Sequence, residues 1–461
     1  AVGAVSLDAN TTANNNTAIG YASLGANTTG IQNVAVGASA LDANTTANNN
    51  VAVGMNSLGG TTTGSSNVAV GSQSLRTNST GQQNTAVGNE ALLNNTTASN
   101  NTAFGHVALQ ANTTGHSNVA VGANALDANT TADKNTAVGY NALTANLLGT
   151  QNVALGADAL DANTSASDNT AIGQATLTNN TTGAENTAVG QAALLNNTTG
   201  GQNVGIGVDA LRANTTGGFN TAVGARSADA MTTGIENVAV GIDSLTDCTT
   251  GDGNTCIGRV AGANITTGDY HTAVGHNSLF SATDGNNNTA VGRNAGFDVT
   301  TGGNNLLLGN NAGSSSSPSG QLTTHNNIVC LGNNNITTAF IKVAFTTGSD
   351  RRDKTDIEDF KFGLDWVNKM RPVTYRWDNR DWYDNGTPDG SKKASQLELG
   401  LIAQEEFEIE KEFGFADTKE NMLISSINSN GSYGMKYERI VPVLINAIKE
   451  LSAKVTALEA G

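Results

Sequence analysis

The chain has 461 residues, room for two or three domains, and a formal net charge of −16, which argues against nucleic acid as a partner. Three cysteines (Cys248, Cys256 and Cys330) lack zinc-like spacing and imply no disulfide framework, and for Cys248 and Cys256, each in place of a regular repeat residue, buried thiols are expected over a pair. No apolar run reaches the ~18 residues of a membrane span, and no stretch reads as a signal peptide.

The chain begins "AVGAVSLDAN", without Met and part-way through a motif, so an N-terminal part is expected to be missing. Charge divides the chain in two. Residues 1–348 hold seven Lys/Arg against eighteen Asp/Glu, and residues 349–461 hold sixteen against twenty-one. All three tryptophans lie in the second part.

The first part is a repeat. The motif N-[T/V]-A-[V/I]-G places its glycine at positions 3, 20, 37, 54 and onward to 309, always 17 residues apart. Asn stands four residues before the glycine, with His271 the exception, and Leu four residues after it in most copies. So rigid a period predicts a stack in which each copy is one rung. Short β-branched runs bounded by Gly and "NTTG" read as strands and turns, about two of each per rung. Eighteen intervals at ~4.8 Å give a rod of roughly 85–90 Å.

The glycine is expected to have positive φ or a close backbone neighbour, and the small residue two positions before it a close approach on one strand face. Asn in register predicts a hydrogen-bonded ladder. Rungs of Ala, Val and Leu bury little apolar area each, so several chains are expected to pack side by side. "NTAVG…AL…NTTG" resembles the head repeats of trimeric autotransporter adhesins. That resemblance implies a parallel β-roll in a homotrimer.

Other readings of the repeat are weaker. Asn-Thr-Thr matches the N-glycosylation pattern, but any repeat of this composition generates it. Threonines in register suggest an ice-binding array, yet they fall in turn-like segments. Scattered histidines offer no metal site, and no cofactor is expected. The repeat then frays: Leu gives way to Gly262, Gly296 and Gly313, and "SSSSPSG" (314–320) breaks the register. Residues 326–345 read as two or three strands. The expected divisions are therefore a shaft over 1–313, a β-rich transition over 314–348, and a small α+β domain over 349–461.

At the seam, "SDRRDKTDI" puts six ionisable side chains into eight positions. "MRPVTYRW", "LGLIAQEEFEI", "MKYERIVPVLINAIKEL" and "SAKVTALEAG" come after it in order. Together they resemble the C-terminal intramolecular chaperone of phage endosialidases and tail fibres, a self-cleaving peptidase family. The resemblance implies a trimerising domain that guides folding of the fibre and then cuts itself off between Gly348 and Ser349. It makes Ser349 the nucleophile, Lys354 the base and Asp350 a supporting residue. Arg351 and Arg352 are placed to supply the cationic pressure a neutral lysine needs. Read alone, "SDRRDK" is more simply a solvated charged loop, and it is the downstream motifs that reverse that reading.

Val441, Leu444, Ile448, Leu451, Val455 and Leu458 step by 3, 4, 3, 4 and 3, the a/d seam of a coiled coil over about 441–459. Such a clamp answers a problem of the repeat, in which a 17-residue slip costs little because every rung looks alike. The whole predicts a trimeric phage tail fibre or tailspike in the virion. It would join the tail through the missing N-terminal part and bind an unidentified host receptor or glycan, without inserting in a membrane. The rivals are a bacterial surface adhesin with the same chaperone and a glycan-degrading tailspike, the latter disfavoured because no paired carboxylates with aromatic platforms are seen.

Overall fold

A computed structural model describes residues 1–461 except 337, 343–346 and 429–430, and except the side chain of Asp381. Its first part is one parallel stack of nineteen three-residue strands, from β1 (Thr17–Ile19) to β18 (Leu306–Leu308) and then β19 (Val329–Leu331). Pairing is in register at the repeat period, with Thr17 opposite Val34 and Ala18 opposite Ala35. An isolated bridge from Val2 to Ile19 extends the stack one rung further.

Each rung has one strand rather than two. The second apolar run, Ala-Leu, sits in a turn where residues such as Ala22 (φ 53°) and Leu24 (φ 52°) adopt the left-handed conformation. Ladder bonds persist there, with Leu24 donating to Ala40 O at 3.0 Å and Ala26 to Asp42 O at 3.0 Å. The backbone is therefore satisfied between rungs without extended geometry. Positive φ in a leucine carries strain, and from Leu24 onward the buried position of its side chain over-determines it.

The core is one column of strand-centre alanines (Ala18, Ala35, Ala52) facing one column of leucines (Leu24, Leu41, Leu58), all essentially inaccessible. The repeat glycine meets both of its expected conditions. Gly224 has φ +136°, and a Cβ there would lie 2.5 Å from the carbonyl oxygen of Gly241.

Two buried asparagine ladders flank the core. In the expected one, Asn33 Oδ1 accepts the Asn50 N–H at 3.0 Å while Asn33 Nδ2 donates to Ala47 O at 2.9 Å. The second is the Asn of "NTTG": Asn44 Nδ2 donates to Asn27 Oδ1 at 2.7 Å. These NTTG asparagines are buried, so the folded shaft does not present them for glycosylation. The threonine that follows is also engaged, as in Thr28 Oγ1 donating to Thr45 O at 3.0 Å.

The fraying seen in the sequence is compensation inside an intact stack. In three rungs where Leu becomes Ala or Gly, the residue three positions later grows: Ala228 with Met231, Gly262 with Ile265, Gly296 with Val299; at Gly313 it is Leu307 and Leu322 that close in. A Cβ on Gly262 would sit 2.6 Å from Cys256 Sγ and 2.8 Å from Ile265 Cδ1, so those two side chains occupy the missing leucine's space. Leu307 takes a strand-centre alanine's place and presses on Gly296 in the same way, 2.9 Å from where its Cβ would stand. Cys248 and Cys256 are free buried thiols, and burial pushes Cys248 up to about 12. After "SSSSPSG" the register resumes, with β19 pairing to β18 across a rung of 23 residues instead of 17. Of the strands expected in 326–345, β19 is the one found, and residues 337 and 343–345 lie outside the described set.

Residues 349–461 form a small α/β region. Its elements are α1 (Leu364–Lys369), the antiparallel pair β20 (Val373–Tyr375) and β21 (Glu398–Gly400), α2 (Ala403–Glu412), the pair β22 (Ser425–Ile427) and β23 (Tyr433–Met435), and α3 (Ile440–Glu459). Trp366, Ile424 and Val443 centre its core, with Phe360, Phe362, Phe413 and Phe415 packed around them. The Trp366 and Phe413 rings stack at 4.8 Å.

Candidate functional site

Ser349 to Lys354 form a single tight turn. Asp350 caps a short 3₁₀ helix, Arg351–Asp353, by accepting the Arg352 N–H at 2.9 Å, as a carboxylate at such a position does. Its carboxylate also pairs with the Arg352 guanidinium at 2.6 Å. Those contacts hold the Asp350 carboxyl below the usual carboxylate range, the Arg352 side chain first and its backbone N–H second. The turn brings residue 354 back toward residue 349, and Lys354 Nζ donates to Ser349 Oγ at 2.5 Å. Space around Gly348 is open: a Cβ there would meet nothing within 4 Å.

Nucleophile and base candidates thus lie within hydrogen-bond reach, and the geometry gives Asp350 a part that the resemblance left undefined: it shapes the turn. Arg352 is engaged by Asp350, so the cationic pressure expected from it on Lys354 is offset by an adjacent anion. Every residue from 349 to 354 is exposed in the single chain.

On α3, the predicted seam lies on the outside. Val441, Leu444, Ile448, Leu451, Val455 and Leu458 are 41–81% exposed. The opposite face docks: Val443 and Ala447 are buried, Asn446 Nδ2 donates to Phe360 O at 2.5 Å, and Glu450 Oε2 accepts the Leu364 N–H at 3.1 Å. Pro442 is the third residue of α3, in the first turn where its missing N–H costs nothing.

Two buried carboxylates went unnoticed in the sequence. Glu410 accepts the backbone N–H groups of Leu423, Ile424 and Ser425 at 2.8, 2.8 and 2.5 Å, tying α2 to β22. Glu406 accepts from Trp366 Nε1 at 2.8 Å, and burial raises its pKa against that hydrogen bond. The signal was their i, i+4 spacing beside Phe407, Ile409 and Phe413, which puts acids on a core-facing helix.

Among the described residues, no group of three or more His, Cys, Asp or Glu side chains could hold a metal ion, and no helix is long and apolar enough to cross a membrane. The molecule is thus a β-solenoid shaft followed by a small α/β region that ends in a helix with an exposed apolar seam. Compared with known families, residues 349–415 match the one described as chaperone of endosialidase. The chain therefore carries an endosialidase-type chaperone segment behind its shaft, as the motif order implied. No curated protein and no solved structure matches the chain.

Proposed function

We propose that the chain is the shaft and C-terminal chaperone of a homotrimeric phage tail fibre or tailspike used in host attachment, and that the chaperone cleaves the chain between Gly348 and Ser349. The observation that carries the cleavage reading is the 2.5 Å contact between Lys354 Nζ and Ser349 Oγ, at the first residues of the matched segment. Ser349 Oγ is tethered next to the Gly348 carbonyl, so its effective molarity there is high. The hydroxyl proton passes to a neutral Lys354, Oγ bonds to the Gly348 carbonyl carbon, and the peptide C–N bond breaks. The Ser349 amine leaves with the proton, and water then hydrolyses the ester. A lysine serves as base only when neutral, and Lys354 is exposed in one chain, so the desolvation is assigned to closure of three chains around the seam.

The trimer reading is supported by the α3 seam, and also by the shaft. The residue before each repeat glycine points outward, and Ile19, Phe104, Leu155 and Ile257 keep 40–52% of their surface in one apolar column. Attachment to a virion through an N-terminal part completes the proposal. Denaturing intact-mass analysis of the parent chain beside Ser349→Ala and Lys354→Ala tests it. Fragments 1–348 and 349–461 from the parent, with both variants whole, are expected. A parent that stays whole after assembling refutes the peptidase step.

A further inference from the structure

The surface of the shaft is as regular as its core, so a departure from the column pattern marks a place where the surface does more than stack. Two columns run along the turn before the strands, five and six residues ahead of each repeat glycine. The first is mostly polar, as in Gln32, Gln83 and Gln151, and the second carries residues such as Asn48, Gln82 and Ser99. In two consecutive rungs the second column drops to Gly201 and Gly218, and in the later of these the first becomes Phe219. The result is an open notch of about 480 Å³, floored by the two glycines and walled by Phe219, Ile235, Glu185 and Gln202.

Backbone conformation does not require either glycine, since neither has the positive φ of the repeat column. Their effect is to remove side chains. Phe219 holds a ring 61% exposed at φ 61°, where other rungs place glutamine, and Ile235 beside it is 40% exposed. That is apolar surface left in water on a strained residue, with no benefit to the stack. Gln202 Nε2 donates to Glu185 Oε2 at 2.9 Å, which orients an amide and a carboxylate at the same notch.

We propose that this notch binds a neutral glycan. The C–H face of a pyranose packs against an aromatic ring, and its hydroxyls, each donor and acceptor, suit a carboxylate beside an amide. No Lys or Arg lines the notch and the chain is strongly acidic, which disfavours anionic sugars. Tyr270 stands three rungs beyond Phe219 in the same column, its ring against Gly253, where a Cβ would lie 2.6 Å from Tyr270 Cδ1. A linear glycan laid along the rod meets both rings.

The site deepens the attachment reading and rests on it only for where the glycan comes from. The test uses the full chain in affinity electrophoresis through gels containing mannan, dextran or soluble glycol chitin, with polysialic acid and heparin as acidic probes. Phe219→Gln and Gly218→Gln each install a residue that another rung carries at the same place, Gln83 and Gln82, so the stack is expected to fold; circular dichroism and sedimentation verify it. Retardation by at least one neutral polysaccharide, weakened tenfold or more in both variants, is expected. No retardation by any neutral probe, retardation by acidic probes alone, or unchanged binding in both variants overturns the site. So does loss of the oligomer in Phe219→Gln, which would make the notch a contact between copies. Repeating the binding on Ser349→Ala separates this outcome from that of the cleavage reading, because the shaft is the same whether or not the chain is cut.

Discussion

The shaft and the C-terminal region handle burial in opposite ways. Each rung of the shaft covers its own Ala-Leu core and pairs its buried asparagines with the rungs above and below, so a stack of one chain leaves few polar groups unmet. The C-terminal region builds a compact aromatic core around Trp366 and leaves a helix of about 30 Å with its apolar seam in water. A repeat can satisfy itself locally but has no way to mark one rung from the next. A helix that cannot satisfy itself alone is suited to fix where partners begin, and that contrast is what the proposed division of labour uses.

The contrast breaks most sharply at the glycine column. Gly224→Ala is expected to cost 4 kcal/mol or more, roughly, because it adds strain at φ +136° to a Cβ 2.5 Å from a carbonyl oxygen; chemical denaturation of the shaft reads it. By contrast, Ile448→Asp with Leu451→Asp should leave the aromatic core intact, since both side chains are exposed in the single chain. Sedimentation is expected to show loss of the proposed trimer with near-UV dichroism of the tryptophans retained. Loss of both signals together would mean that the seam belongs to the domain's own core.

Volume exchange sharpens the account of the shaft. Gly262→Leu alone is expected to destabilise by about 1–3 kcal/mol through overpacking against Cys256 and Ile265. Adding Cys256→Ala and Ile265→Asn, which restores the common rung, should recover most of that, and additive losses would contradict the compensation. The smallest effect concerns His271, buried in the asparagine ladder with Nδ1 accepting the Asn288 N–H at 3.2 Å. Desolvation lowers its pKa, against the backbone groups of Gly285 and Asn288 and the nearby charge of Asp269. A depressed folded-state pKa means stability that is present above the unfolded value, ~6.5, and lost as pH falls through the folded one. The protection of amides near Asn288, after correction for the slower intrinsic exchange at low pH, should fall on acidification below about pH 6.5, and His271→Asn should abolish that fall.

Much was legible in the sequence because a fixed 17-residue period leaves a chain few ways to bury the same positions over and over. The period determined the stack, its in-register pairing, the buried alanine and leucine columns, the glycine's close contact and the first asparagine ladder. The motif order from Ser349 onward likewise determined the kind of segment that ends the chain, and heptad spacing determined α3 and its seam. Tertiary structure decided the rest. The Ala-Leu run forms a left-handed turn instead of a second strand because neighbouring rungs accept its N–H groups in either conformation, and local pattern does not distinguish the two. Gly262 and Gly296 read as decay in the sequence, yet Cys256, Ile265 and Leu307 fill their space, since packing conserves the volume of the folded core and not the residue at each repeat position. Glu410 went unnoticed in the sequence, and only the fold brought three backbone N–H groups to it, because a buried carboxylate depends on partners that the chain supplies thirteen to fifteen residues away.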